Sequence, residues 1–271
     1  MQALNLNGLN EAERLKALTD HEWLETNGLG GYSSSTLAGC NTRRYHGLLV
    51  AAIRPPTERS ILLAKLDERI EFANNIWELS TSFYPETIHP EGFKTISNFK
   101  KDLFPEWNFE IEGKISIRKS IMMLHGENTV IIKYELISAP TQISLIVNPK
   151  ISGRSYHALK SHTEPQVLDL RAKQDLISAD FINGASLHIH SPDSRASLKQ
   201  DWYYNYVLPR ELERGYDWQE DLISCGELTL SLKPRETKYI VASTIKPIGR
   251  PAKKLFEEEL ERRASLLRTL P

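Results

Sequence analysis

The sequence predicts an all-β fold: a large antiparallel β-sandwich with a short helix at each terminus. Three observations predict it. Apolar and polar residues alternate with period two along many segments, as a half-buried strand requires. The segments recur about every 8–15 residues, separated by Gly-, Pro- and Asn-containing turns and without a strand–helix–strand rhythm. Helical spacing is confined to the two ends of the chain. At 271 residues the chain is long enough to bury a core without staples.

Taken in order, the first element is a short helix opened by Asn10 and Glu13, a capping-box pair, and running to about Leu18. Strands are expected over 48–53, 61–72 and 76–81. Residues 111–124 read as one strand, with Ile111, Ile115, Ile117, Ile121 and Met123 on one face and Glu112, Lys114, Ser116, Arg118 and Ser120 on the other. Further strands are expected over 129–137, 142–147, 167–171, 176–182, 186–191, 227–232 and 238–244. Asn183-Gly184 between two such runs is the strongest hairpin signal. Pro251 suits a first helical position, and Leu255, Phe256, Leu260, Ala264 and Leu267 then form an apolar stripe at helical spacing. Glu258 with Arg262 and Glu259 with Arg263 are favourable i,i+4 pairs. This last helix either packs on the sandwich or leads to another domain.

Charge and motif content exclude several function classes. Lys and Arg number 34 against 35 Asp and Glu, a formal charge of −1, so no global basic field recruits nucleic acid or an anionic membrane. The two cysteines, Cys40 and Cys225, form no C-x-x-C pair, and a reduced cytoplasmic protein is the simpler expectation. Neither a signal peptide nor a membrane-spanning run is evident. The glycines of Asn27-Gly-Leu-Gly-Gly-Tyr32 do not complete G-x-G-x-x-G, because Ser33 holds the last position. A phosphate-binding loop, H-E-x-x-H and G-x-S-x-G are all missing, and no cofactor or metal is expected. His188 and His190 share a strand face with no third ligand and are expected to face solvent.

Three constellations remain. The first is the loop Arg43-Arg44-Tyr45-His46, with Asn27 and Tyr32 expected beside it through the glycine-rich bend. Its donor forks and polar rings suit sugar hydroxyls or carboxylates, or a buried network between two sheets. The second is Asp201–Tyr206. If it is extended, Trp202, Tyr204 and Tyr206 share a face, either as core or as platforms for the C–H faces of pyranose rings. The acids that follow it, from Glu211 to Asp221, suggest a polar loop. The third, Arg154-Ser-Tyr-His157, repeats the same vocabulary. Choosing two catalytic carboxylates from 35 acids requires distances.

Residues 22–32 (EWLETNGLGGY) and 38–51 (AGCNTRRYHGLLVA) resemble the opening of bacterial and archaeal type glycogen debranching enzymes. Arg154–His157 and Trp202 through Arg214-Gly215 to Glu220-Asp221-Leu222 are similar to later parts of that family's N-terminal domain, so most of the chain is covered. Ser155 departs from the pattern, where an acidic residue is expected. The resemblance implies a β-supersandwich at residues 1–250 and an amphipathic linker helix at 251–271, leading to an (α/α)6 barrel that holds the amylo-α-1,6-glucosidase acid and base. It also implies glycogen or a related α-glucan as substrate and partner, no catalytic residue in this chain, and Asn27, Tyr32, Arg43, Arg44, Tyr45, His46, Arg154, His157, Trp202 and Tyr204 as residues of the glucan cleft or domain interface. The alternatives are a stand-alone α-glucan-binding sandwich and a purely structural domain.

Overall fold

Alternating strands have one apolar row each, and two sheets facing each other bury both sets of rows together. That is the arrangement in this computed structural model, which describes residues 2–6, 8–55, 57–247 and 249–268. One sheet has nine strands in the spatial order Gln2–Asn5, Ile96–Lys101, Pro105–Ile111, Ile115–Met123, Thr129–Ser138, Thr237–Ser243, Ser186–His190, Leu176–Phe181 and Val167–Lys173. The second runs Arg195–Ser197, Glu227–Leu232, Ile143–Ser155, Glu58–Phe72, Gly47–Arg54, Tyr32–Thr36 and Glu22–Thr26. Gln219–Ser224 pairs with the far half of Ile143–Ser155 and carries Asp201–Val207 outside it, and Asn75–Glu78 pairs with Glu58–Phe72. All strand pairs among the described residues are antiparallel. The chain is a β-supersandwich with a helix near each end, as expected.

The interior joins Leu63, Leu66 and Ile70 of the second sheet with Ile117, Ile121, Ile132 and Ile240 of the first. The opposite face of the second sheet has its own cluster, where Val50, Ile61, Ala64, Tyr206 and Leu222 are ringed by Tyr32, Tyr84, Tyr156 and Tyr203. The site grows from this tyrosine-rich outer face.

Several boundaries differ from the expectation for identifiable reasons. Residues 111–124 are not one strand. Glu112 and Gly113, both at positive φ (50° and 64°), form with Lys114 a three-residue connection that sets Ile111 opposite Ile115. A three-residue connection pairs residues an even number apart, so the period-2 count runs through it unbroken. The 76–81 run splits into Asn75–Glu78 and Thr81–Tyr84, and the latter forms a separate hairpin with Thr87–Glu91. Tyr32–Thr36 shows no alternation because its polar row is also buried: Ser34, Ser35 and Thr36 donate their hydroxyls to carbonyls of Trp23 and Cys40. His188 is buried against Ser178 rather than solvent-facing, and His190 sits 3.3 Å from Asp175.

The first helix, α1 (Glu11–Asp20), has both capping-box bonds between Asn10 and Glu13. A short helix, α2 (Pro209–Glu213), stands where the sequence suggested only a polar loop. The last, α3 (Ala252–Arg268), lies on the outer face of the first sheet. Ala252 and Phe256 pack there against Met122, Leu124, Ile131 and Val241. Arg263 donates to the carbonyls of Leu103 and Met123 and pairs with Glu25 and Glu259. Arg262 pairs with Glu259 rather than Glu258, whose partner is Lys254. The distal part of the stripe stays outside, with Leu267 56% exposed. Residues 269–271 of the expected linker helix lie outside the described residues.

Candidate functional site

The 41–47 segment closes on itself. The His46 N–H donates to the Arg43 carbonyl, and His46 Nδ1 accepts from the Thr42 N–H at 3.1 Å. With Nδ1 accepting, the neutral ring carries its proton on Nε2, which lies 3.5 Å from Glu22 Oε1. Arg43 Nε donates to the same oxygen at 2.6 Å. The His46 imidazole beside it, then the hydrogen bond from Arg43, pulls the Glu22 carboxyl down to about 2.

Arg44 and Arg154 are both clamped. Arg44 donates through Nε to Glu211 at 3.0 Å and through its two terminal nitrogens to the carbonyls of His157 and Asp217, and its guanidinium lies over the Tyr216 ring. Arg154, 2% exposed, makes a two-pronged pair with Glu220 at 2.7 and 3.2 Å and donates to the Arg44 carbonyl at 2.9 Å. Glu211 and Glu220 are themselves buried. The acids after position 210 are therefore in part the fixed counter-charges of the two arginines, not a solvated loop.

Tyr45 stands over this base, edge-on to Tyr156 at 5.5 Å and His157 at 5.7 Å, and its hydroxyl lies 3.4 Å from His157 Nδ1. Tyr32 joins the group by donating to the Tyr45 carbonyl at 2.7 Å. Ser155, where an acid was expected, is exposed, and its hydroxyl accepts from the His157 N–H.

Asn27 does not join them. It is fully buried and bonds to the Glu127 carbonyl, the Asn128 side chain and the Leu29 N–H. Gly28 explains the motif's glycine there: its φ is +78°, and a Cβ would lie 2.5 Å from the His125 ring.

Trp202, Tyr204 and Tyr206 do not share a face as an unbroken strand would place them. The pairing of Asp201–Val207 with Gln219–Ser224 shifts between Tyr203 and Tyr206, with Asn205 at φ +59°. The bulge turns Tyr206 inward, to the cluster that Tyr203 also borders, while Tyr204 stays exposed. Trp202 and Tyr204 meet the His162 ring at 6.2 and 5.0 Å. His162 bonds through its backbone N–H and Nδ1 to Asp221, whose other oxygen accepts from the Asn205 N–H. These hydrogen bonds hold the Asp221 carboxyl below the usual range against its burial. Beside them lies an open groove of about 600 Å3 lined by His162, Asn205, Tyr216, Asp217, Trp218 and Gln219. Sequence reading missed its importance, and missed Glu211 and Glu220 as anchors. The available signal was acids adjoining the apolar Leu222-Ile223, a pattern that marks a strand and not a loop.

Beneath Tyr203, Lys65 and Lys150 flank Asp67 at 2.9 and 3.3 Å. Burial lowers Lys150 to about 8, although Asp67 opposes the shift. Among the described residues no group of three or more His, Cys, Asp or Glu side chains is placed to hold a metal ion. Cys40 and Cys225 are free and buried, and burial raises both thiols, Cys225 to about 12. No helix among the described residues is long and apolar enough to cross a membrane.

The fold and site define a β-supersandwich domain whose motif loop is locked to distant strands. The family model for the N-terminal part of glycogen debranching enzymes matches residues 21–239, and the chain belongs to that family. No curated protein matches it. Solved structures that it is similar to include the following three. A bacterial glucoamylase complexed with acarbose is 9% identical, with 92% of this chain and 36% of that one covered and a TM-score of 0.38. The 4-alpha-glucanotransferase from Thermococcus litoralis is 11% identical, with 74% and 29% covered and a TM-score of 0.36. The heparan sulfate lyase HepC from Pedobacter heparinus is 8% identical, with 54% and 20% covered and a TM-score of 0.33. The chain thus spans 36% or less of each of these three structures.

Proposed function

We propose that the chain is the non-catalytic N-terminal domain of a cytoplasmic glycogen debranching enzyme, a glycoside hydrolase acting on α-1,6 branch points of glycogen or a related α-glucan. Residues 1–250 are the sandwich and 251–271 the exit helix toward a C-terminal (α/α)6 catalytic domain. The sandwich packs on that barrel and presents the Arg43–His46 loop to the glucan cleft or the domain interface. One observation carries the reading: the loop that bears the family motif stands on an outer face and is rigidly braced, with Arg44 and Arg154 each held by a buried carboxylate. Glu211 and Glu220 are buried and engaged by guanidinium groups, a bracing arrangement that supports a non-catalytic role. Two free, buried thiols suit a reducing compartment.

The direct test compares this chain with the chain followed by its natural downstream sequence on a branched limit dextrin. Glucose release is expected only from the longer protein. Release by the 271-residue chain alone would sink the non-catalytic assignment. A second reading, an α-glucan-binding module without chemistry, is favoured by the open groove beside Trp218.

A further inference from the structure

The glycine-rich bend after strand Glu22–Thr26 keeps hydrogen-bonding capacity that the chain does not use. The Leu29 N–H is taken by the Asn27 side chain, but among the described residues the Gly28 and Gly30 N–H groups have no protein acceptor. Both glycines sit at positive φ, 78° and 94°, which favours glycine there and leaves the backbone bare. Arg59, at the start of strand Glu58–Phe72, is fixed over the bend. Its Nε donates to the Gly30 carbonyl, one terminal nitrogen donates to the Tyr156 hydroxyl at 3.1 Å, and the guanidinium lies 5.3 Å from the centre of the Tyr156 ring. Those bonds leave most of a guanidinium's N–H donors unused. No carboxylate matches its charge among the described residues. Glu58 pairs with Arg54, Glu25 with Arg263 and Glu127 with Arg250, and the His125 ring against Gly28 brings no negative charge. Leu24, Thr26, Gly28, Gly30, Tyr32 and Arg59 line one open depression of about 450 Å3, in which Arg59 is the only charged side chain.

We propose that this depression binds a phosphate group. A fixed guanidinium with spare donors, beside bare backbone N–H groups and the Thr26 hydroxyl, is the donor set that anionic oxygens require. The abundance of donors selects the anion. A carboxylate has two oxygens to share, whereas a phosphate group brings three strong acceptor oxygens and a larger charge. A neutral ligand seated here would take water from Arg59 and return no charge. The guanidinium is already held by the Gly30 carbonyl and Tyr156, so little side-chain freedom is lost on binding. Volumes of about 300–1,000 Å3 are usual for ligand sites. Phosphate binding at this bend is independent of any glucan substrate.

The test is amide NMR titration of the full 271-residue chain with inorganic phosphate, glycerol 3-phosphate and acetate at constant ionic strength. Phosphate is expected to move the Gly28 and Gly30 signals together along one saturable curve, with acetate about tenfold weaker. Tighter binding of glycerol 3-phosphate assigns a phosphorylated small molecule as the ligand, and equal or weaker binding assigns the free ion. Arg59→Gln should weaken phosphate binding about tenfold. Because Arg59 also holds the bend, Thr26→Glu serves as a second variant. Thr26 is exposed, so a carboxylate there is expected to leave the Tm unchanged and to cut phosphate binding by a similar factor through like-charge repulsion. Glycine signals that do not saturate, acetate bound as tightly as phosphate, or phosphate binding untouched by both variants overturns the proposal.

Discussion

A buried guanidinium keeps its charge only where acceptors replace its lost water, and Arg154 has Glu220, the Arg44 carbonyl and its neighbour's carbonyl for that purpose. Truncating it strands a buried carboxylate. Arg154→Ala is therefore expected to cost about 3–5 kcal/mol in thermal or urea unfolding, whereas the double replacement Arg154→Met with Glu220→Leu should recover most of that loss. Glu22 gives a pH-dependent prediction. Its folded pKa, about 2, lies below its ordinary value of 4.5, so its contribution to stability is complete above pH 4.5 and is lost as pH falls toward 2. Glu22→Gln should flatten the acid limb of a stability–pH curve in that window and leave neutral pH dependence unaltered. A Glu22→Gln curve that parallels the parent across the window would refute the linkage. At this scale the sequence was informative about residue types and not about roles. Arg44, Tyr45, Tyr32 and His157 do assemble, but Arg43 turns to Glu22, Asn27 belongs to the 127–128 turn, and Arg154 is sealed beneath the others.

At the scale of elements, α3 is a bound part of the sandwich and not a loose tether. Phe256, 4% exposed, meets Phe104 and Tyr239, and Arg263 reaches two sheet carbonyls. Phe256→Ala is expected to cost about 3 kcal/mol and to raise amide exchange selectively over 252–268, as measured by hydrogen–deuterium exchange. Strand legibility followed burial. Strands with one wet face, such as Glu227–Leu232, emerge from alternation alone. Tyr32–Thr36 hides because Ser34, Ser35 and Thr36 are satisfied inside, and the Glu112-Gly113 hairpin hides because its turn keeps the period. The bulge at Asn205 hides for the opposite reason: it breaks the period only in three dimensions, since the letters of Asp201–Tyr206 fit a regular strand equally well.

For the molecule as a whole, alternation was enough to predict two apposed antiparallel sheets, because neither a strand's two faces nor a sandwich's two layers depend on register. Register is what assembles the site. Glu58–Phe72 and Ile143–Ser155 run 15 and 13 residues, and the second changes partner midway, from Glu227–Leu232 to Gln219–Ser224. That change of partner brings Glu220 to Arg154, and no periodicity encodes it.

The same bracing has a kinetic consequence. The contacts that fix the motif loop close across 66, 110 and 167 residues of chain. Loops of that size place the protein among slow, high-contact-order folders. During synthesis the 41–47 loop emerges well before its anchors at positions 211 and 220. Until those positions are made the two arginines lack their carboxylates, and the motif takes its shape only after residue 220 has emerged.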